Sequence, residues 1–259
     1  GSTFDQVLVM VDGVRVSDAQ TGHFNLHLAI PLEQVERIEV LRGPGATLHG
    51  ADAMGGVIHV VTNRGGGTRA SIDAGSFGNL GVAASHSVIA GGVSLMAGGD
   101  LRRSDGHRPG TDLEMLQGRL VLSAPLAGRR LDLTLASAAR DFGAKGFYGS
   151  NPEWDEYEET RTTTATAALR AAPEARVALE PVLSFRRNSD EFLLRRDDPD
   201  FYRNTHRTDQ YGGKLTARYT PSALLRLAAG GEAFHHVLES ASLGDRTESH
   251  AALLAEAVR

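Results

Sequence analysis

The stretch RLVLSAPLAGRRLDLTL, residues 119–135, alternates its side chains with period two around one tight turn. Leu120, Leu122, Ala124 and Leu126 fall on one face and Arg119 and Ser123 on the other; beyond Ala127-Gly128, Leu131, Leu133 and Leu135 alternate with Asp132 and Thr134. Successive side chains of a strand point to opposite faces, so this reads as a β-hairpin with one apolar and one polar side. The same split recurs along the chain. Val93, Leu95, Ala97 and Leu101 oppose Ser94, Asp100 and Arg102; Val177, Leu179, Leu183 and Phe185 oppose Glu180 and Ser184; Leu215, Ala217 and Tyr219 oppose Lys214, Thr216 and Arg218. The polar face is suited to a wet lumen.

A soluble sandwich alternates as well, so the connections decide. Short turns at 91–92, 127–128, 172–175 and 221–223 alternate with long polar loops at 103–112, 143–159, 188–206 and 239–246. An up-and-down barrel crossing a membrane has this pattern, with tight turns on the periplasmic side and long loops outside. A tilted strand of roughly 9–11 residues suffices to span. Phe142, Phe147, Tyr148, Trp154, Tyr157, Phe201 and Tyr202 lie in or beside the long loops, the position of an aromatic girdle at the outer interface.

Composition sets outer bounds. The 259 residues include 30 glycines and only 23% charged side chains, which favours an extended, turn-rich, mainly β protein. A net charge of −5 and a pI near 6.1 leave no basic footprint for neutralising phosphates, which excludes nucleic-acid binding. Without cysteine there is neither a disulfide scaffold nor a thiolate metal site. No run of about 18 apolar residues occurs, which excludes a transmembrane helix and says nothing against a barrel; the mean hydropathy of −0.22 fits either class. Gly1-Ser2 opens the chain with no basic or apolar leader, so an exported protein of this sequence is expected to have its true N-terminus elsewhere.

Ahead of the alternating strands lies a segment of different character, and NRGGGT at 63–68 separates the two. The apolar run VLVMV at 7–11, Asp12-Gly13 and Val14-Arg15-Val16 read as strand, tight turn and strand. Pro31 opens a helical turn before the strand ERIEVL at 36–41, and VIHVVT at 57–62 forms a third apolar strand. The expected organisation is a small mixed α/β module over 1–64, followed by about ten antiparallel strands over 65–259.

The motifs in 7–64 carry a resemblance. VLVMVDGVRVSD, then IPLEQVERIEVLRGPGATLHGADAMGGVIHVVTNR, resembles the plug domain of TonB-dependent outer-membrane receptors: a strand ending in DGVR, a P-x-x-x-V-E-R-I-E-V-x-R-G-P core, and the glycine-punctuated run from Gly50 to Ile58. ASIDAGSFGNLG resembles the family's first barrel strands, and the stretches at 141–162 and 203–215 look most like its cobalamin receptors. The resemblance implies the C-terminal part of a plug and fewer than half the strands of a barrel, since barrels of about 22 strands enclose a plugged lumen. It further implies a Gram-negative outer-membrane location in contact with lipid. The implied function is import of a scarce small molecule, cobalamin or a ferric siderophore, with TonB as partner through an N-terminal box absent here. A passive porin or adhesin barrel would lack the plug signature, and a secreted β-rich enzyme would need a catalytic constellation.

Site residues follow from the resemblance. The loops at 17–27 and 46–52 correspond to apical plug loops, making His23, Asn25, His27, Thr47, His49 and Asp52 the ligand-contact candidates. Arg37, Glu39 and Arg42 correspond to plug charges that pair with the barrel wall, with Glu180 and Glu232 as partners. Asp155, Glu156, Glu158 and Glu159 crowd one long loop and Asp197, Asp198 and Asp200 the next. Carboxylates brought together repel unless a cation joins them, so Asp155, Glu158, Asp197, Asp198 and Asp200 are candidate calcium ligands. Gly43, Gly45, Gly50, Gly55 and Gly56 lack the G-x-x-x-x-G-K-[ST] of a phosphate cradle and serve turn geometry. Ten histidines without H-E-x-x-H give no catalytic metal motif, and Asp197-Asp198 has no acid or base partner across a cleft.

Overall fold

The computed structural model describes residues 3–43, 51–63, 67–149, 151, 153–172, 174–222 and 224–258. Two sheets account for its strands: one of four, in the order β2-β1-β4-β3, and one of ten, in which β5 to β14 follow one another as neighbours.

In the smaller sheet β1 (Val7–Val11) pairs antiparallel with β2 (Val14–Val16) and parallel with β4 (Gly56–Thr62), whose other edge pairs antiparallel with β3 (Val35–Arg42). The β1–β2 turn needs positive φ at both central residues, and Asp12 (φ 49) with Gly13 (φ 82) supplies them. Asp12 adds a second function. Its carboxylate accepts from the Thr62 N–H at 2.9 Å and the Thr62 hydroxyl at 2.6 Å, which fastens the turn to the end of β4. Leu8, Met10, Ala53 and Val57 form the apolar centre. Among the described residues its helical component consists of short 3-10 turns, Phe4–Gln6, Gly22–Leu26, Leu32–Gln34 and Ala51–Ala53. Pro31 (φ −56) does start one of them, but β3 begins at Val35, directly after Gln34, and leaves no length for an α-helix.

The larger sheet is a meander in which each strand is antiparallel to the next, from β5 (Gly67–Ala74), β6 (Leu80–Ala90) and β7 (Val93–Ser104) through β8 (Leu113–Leu126), β9 (Arg129–Gly143) and β10 (Tyr157–Arg170) to β11 (Val177–Leu193), β12 (Arg203–Ser222), β13 (Leu225–Ser240) and β14 (Arg246–Val258). Its outer side presents exposed apolar residues on successive strands: Ile72, Val82, Leu101, Leu120, Leu135, Leu183, Leu215 and Leu253. Its inner side faces the smaller sheet and is polar, with Gln117, Arg119, Asp132, Arg186, Asn188, Thr208 and Gln210 all buried. Burying polar groups while exposing leucines inverts a soluble protein and matches a wall with lipid outside and a packed lumen inside.

Two of the expected long loops are shorter than the sequence suggests. β11 runs to Leu193 and β12 starts at Arg203, so much of 188–206 is strand, and 239–246 contracts to the connection 241–245. Period-two reading stops there because both faces turn polar. Asp190 pairs in register with His206 on the inner side, while on the outer side Arg187 grips Asp209 through two hydrogen bonds of 2.6 and 2.7 Å. Arg161–Asp141, Arg203–Glu191 and Arg207–Glu239 extend this outward charged row across β9 to β13, above the apolar belt.

Candidate plug–barrel interface and apical cleft

The smaller sheet and its loops are held by inward-facing side chains of the larger one. The Arg119 guanidinium donates to Asp12 Oδ2 (3.1 Å), Thr62 Oγ1 (3.0 Å) and Gln34 Oε1 (3.2 Å). Arg186 reaches Asp18 at 2.6 Å and the Phe24 carbonyl at 3.3 Å, and Thr208 donates to the same Asp18 oxygen at 2.9 Å. Arg140 donates to the Leu28 carbonyl and Gln117 to the Ile30 carbonyl, at 2.6 and 3.2 Å. Irregular backbone between β2 and β3 has few partners within its own sheet, and buried carbonyls need donors. The barrel wall supplies them from alternate positions of β8, β9 and β11. Strand parity marks Arg119 and Arg186 as inward, but only the fold shows which plug oxygens lie opposite each.

Among the described residues Arg37, Glu39 and Arg42 pair with neither Glu180 nor Glu232. Arg37 pairs within β3, with Glu39 at 2.8 Å and with the adjacent Glu36 at 2.7 Å, all of them solvent-exposed. Arg42 is exposed, and Glu180 accepts the Ala171 N–H of its own hairpin at 3.0 Å. Glu232 does bind a plug cation, but that cation is Arg15, at 2.9 Å, which also holds Asp52 at 2.8 Å. The reason is placement: β3 is the sheet edge turned away from these ten strands, whereas β2, carrying Arg15, faces β13.

Of the ligand-contact candidates, Thr47 and His49 lie outside the described residues. Asn25 is buried and its side-chain oxygen accepts the Asp18 N–H at 3.0 Å, so it shapes the apical loop. Asp52 is occupied by Arg15. His23 and His27 open on a cleft of about 440 Å³ between the 3-10 turn Gly22–Leu26 and the loop 144–156. His23 meets Phe4 and Phe147 edge-on, at 4.9 and 5.2 Å between ring centres, and Phe147 meets Tyr148 at 4.7 Å. Burial, reinforced by Arg140 and Arg186, lowers the His27 pKa to about 4, so its imidazole is neutral at physiological pH. Phe147 and Tyr148, placed by the sequence at the membrane interface, turn inward onto the plug instead. Glu156 causes this: one carboxylate oxygen accepts the N–H groups of Gly146, Phe147 and Tyr148 at 3.0–3.3 Å and curls the loop over the cleft.

The acidic residues do not assemble as expected. Glu158 lies on the inner face of β10, where the Tyr148 hydroxyl donates to it at 3.0 Å, and burial together with Glu158 pushes the Tyr148 pKa up, keeping the phenol protonated. Asp197 and Asp198 instead face Arg195, at 3.1 and 3.6 Å, and Asp200 is exposed. The main chain of Asp155 accepts the Arg196 N–H at 2.9 Å. Among the described residues no three His, Cys, Asp or Glu side chains converge as a metal site would require.

Comparison with known proteins agrees with this architecture. The family model described as TonB-dependent Receptor Plug Domain matches residues 1–57. The Vitamin B12 transporter BtuB of Vibrio vulnificus (strain YJ016) is 48% identical over 62 residues, 24% of this chain and 10% of that protein. BtuB of Vibrio vulnificus (strain CMCP6) is 39% identical over 104 residues, 38% of this chain and 17% of that protein. Among solved structures, the siderophore receptor PirA from Pseudomonas aeruginosa superposes with a TM-score of 0.73 at 20% identity, covering 98% of this chain and 45% of that one. The copper transporter OprC does so at 0.73 and 17%, covering 94% and 40%. These structural likenesses are likenesses of fold, and this chain spans less than half of each of the two structures.

Proposed function

We propose, from the premise that this is a chain of the TonB-dependent receptor family, that it serves active import of a scarce small molecule across a Gram-negative outer membrane. The observation that carries the reading is the inside-out wall: leucines face outward along the sheet while arginines reach inward to hold a plug. A passive pore needs an open lumen, and here the plug occupies it. On this reading the loops 105–112, 144–156 and 194–202 face outside, and the cleft beneath them receives the ligand, cobalamin or a ferric siderophore. TonB acts from the periplasm.

Protease added to intact cells that express the full-length receptor should cut within 194–202, and uptake of the bound ligand should vanish in cells without TonB. Cleavage only after outer-membrane rupture refutes the orientation. Uptake independent of TonB refutes active import.

A further inference from the structure

We propose that the inner wall at β13 and β14 binds a borderline divalent transition-metal ion, of the class of Zn²⁺, Ni²⁺ or Cu²⁺, with His236, His250 and Glu248 as its protein ligands. The site is separate from the apical cleft and independent of which molecule the receptor imports. It begins with strand parity. In the β13–β14 ladder His236 stands opposite Glu248 and Phe234 opposite His250, so these four side chains share one face. That face is the inner one, because Glu232, on the same side of β13, meets the plug Arg15 at 2.9 Å. Opposed positions on neighbouring strands stand about 4.5–5.5 Å apart and diagonal ones about 7–8 Å, so two imidazoles and a carboxylate form a small triangle.

The imidazoles are already spaced for a shared ion. Their ring centres lie 5.4 Å apart with planes 22° from parallel. A metal–nitrogen bond of about 2.0–2.1 Å puts each ring centre about 3.2 Å from the ion, and two such rings at a tetrahedral angle stand about 5.2 Å apart. Phe234 backs the pair, with its ring centre 5.2 Å from that of His250 and 6.4 Å from that of His236. Among the described residues neither imidazole makes a hydrogen bond, and both open on a cavity of about 410 Å³ between the wall and the plug strands β1 and β2. Glu248 lines the same cavity, holds no Lys or Arg among the described residues, and joins the imidazoles by side-chain rotation alone. The surrounding charge favours a cation. Of the other acids there, Asp52 and Glu232 are held by Arg15 and Asp18 by Arg186, which leaves the charges of Asp5 and Glu248 on the cavity. Imidazole suits Zn²⁺, Ni²⁺ and Cu²⁺, whereas Ca²⁺ and Mg²⁺ take oxygen ligands.

The test uses the full-length, untagged receptor in detergent, stripped of metal with EDTA. Calorimetric titration with ZnCl₂ should show a saturable site, and CaCl₂ should bind there roughly tenfold more weakly or worse. His236→Gln and His250→Gln should each weaken zinc binding by about tenfold or more, the loss that even outer-shell changes produce, and Glu248→Gln should weaken it as well. His235→Gln, whose ring lies on the outer face and meets Ser249 at 2.8 Å, should bind zinc as the wild type does. Electron paramagnetic resonance of the Cu²⁺-loaded receptor should show coupling to two imidazole nitrogens, reduced to one in His250→Gln. The wild-type spectrum decides the ligation even if a variant fails to fold. A receptor with no saturable zinc site, zinc binding unchanged in both inward histidine variants, calcium bound as tightly as zinc, or a copper spectrum without two nitrogen ligands overturns the proposal.

Discussion

Replacing Arg119 by methionine tests whether the barrel grips the plug through its buried polar contacts. The wild-type side chain is only 2% exposed and makes hydrogen bonds to Asp12, Thr62 and Gln34. Methionine occupies similar length, so little cavity opens and the loss is mainly electrostatic. Removing one partner of a buried ion pair costs about 3–5 kcal/mol when the other is left stranded. Asp12 is not stranded: it is 15% exposed and keeps both the N–H and the hydroxyl of Thr62. The expected cost is therefore lower, about 2–3 kcal/mol, the scale of lost hydrogen bonds to a charged group whose partners keep other contacts or water.

Hydrogen exchange of the full-length receptor, read on the β4 amides 56–62, reports this locally even if the barrel remains folded. The Thr62 amide should lose most, because it donates to Asp12. Asp12→Asn combined with Arg119→Met should cost less than the sum of the single changes by about 1–3 kcal/mol, since both disrupt one interaction. Arg195→Met is the control; its ion pairs with Asp197 and Asp198 lie exposed in the loop 194–202, and it should stay within about 0.5 kcal/mol. An Arg119→Met effect no larger than that of Arg195→Met, or a coupling near zero, refutes the reasoning.

Three further outcomes are expected. His27 is buried with its pKa lowered to about 4 from 6.5, so the unfolded plug binds the extra proton first: the contribution is fully present above pH 6.5 and is lost as pH falls towards 4, by roughly 3 kcal/mol in total. Acid titration of plug stability should be shallower in His27→Leu over that window, and parallel curves for the two proteins would contradict it. Leu183, 65% exposed on the outer belt, should cost about 2–4 kcal/mol when changed to arginine in a bilayer-refolded receptor, and little cost there would mean this face does not meet lipid. Asp197 is held below the usual carboxylate range by hydrogen bonding to Arg195, so chelation of divalent cations should leave protease protection of 194–202 unchanged; a chelator-induced rise in cleavage would show a bound cation there.

The barrel was legible because its signal is local. Lipid imposes one apolar side on each strand, and Leu131, Leu133 and Leu135 display it without knowledge of any neighbour. The signal fails above the lipid, where Arg187 and Asp209 stand on the outer face and the strand continues unrecognised. The interface was legible only as parity: Arg119 and Arg186 point inward, yet their partners at 12 and 18 lie more than a hundred residues earlier, and a main-chain acceptor such as the Phe24 carbonyl has no side-chain signature at all. Charge type alone did not single out Arg15 as the partner of Glu232, since Arg15 and Arg37 are equivalent as sequence and differ in which sheet edge faces β13.

That mode of attachment bears on how a plug can be both secure and movable. A dry apolar contact would bind the plug through shape, and shifting it would expose hydrocarbon surface to a water-filled lumen at a cost rising with area. Here the contacts are hydrogen bonds from Arg119, Arg140 and Arg186 to oxygens of loops 12–28, each worth about 1–3 kcal/mol net and each replaceable by water as it breaks. Their sum fixes one position, while their separate breaking divides the barrier into small steps. Replacing the inward Arg140 by leucine should therefore not simply loosen the plug. Its loss leaves the Leu28 carbonyl without this donor while adding apolar surface beside Ala29, Ala136 and Ala138, a small buried cluster on the same side. Ligand-stimulated uptake through the full-length receptor should fall more than plug protection does in hydrogen exchange. A variant in which both fall in proportion would show that the arginine serves stability alone and would end the argument for a plug released one hydrogen bond at a time.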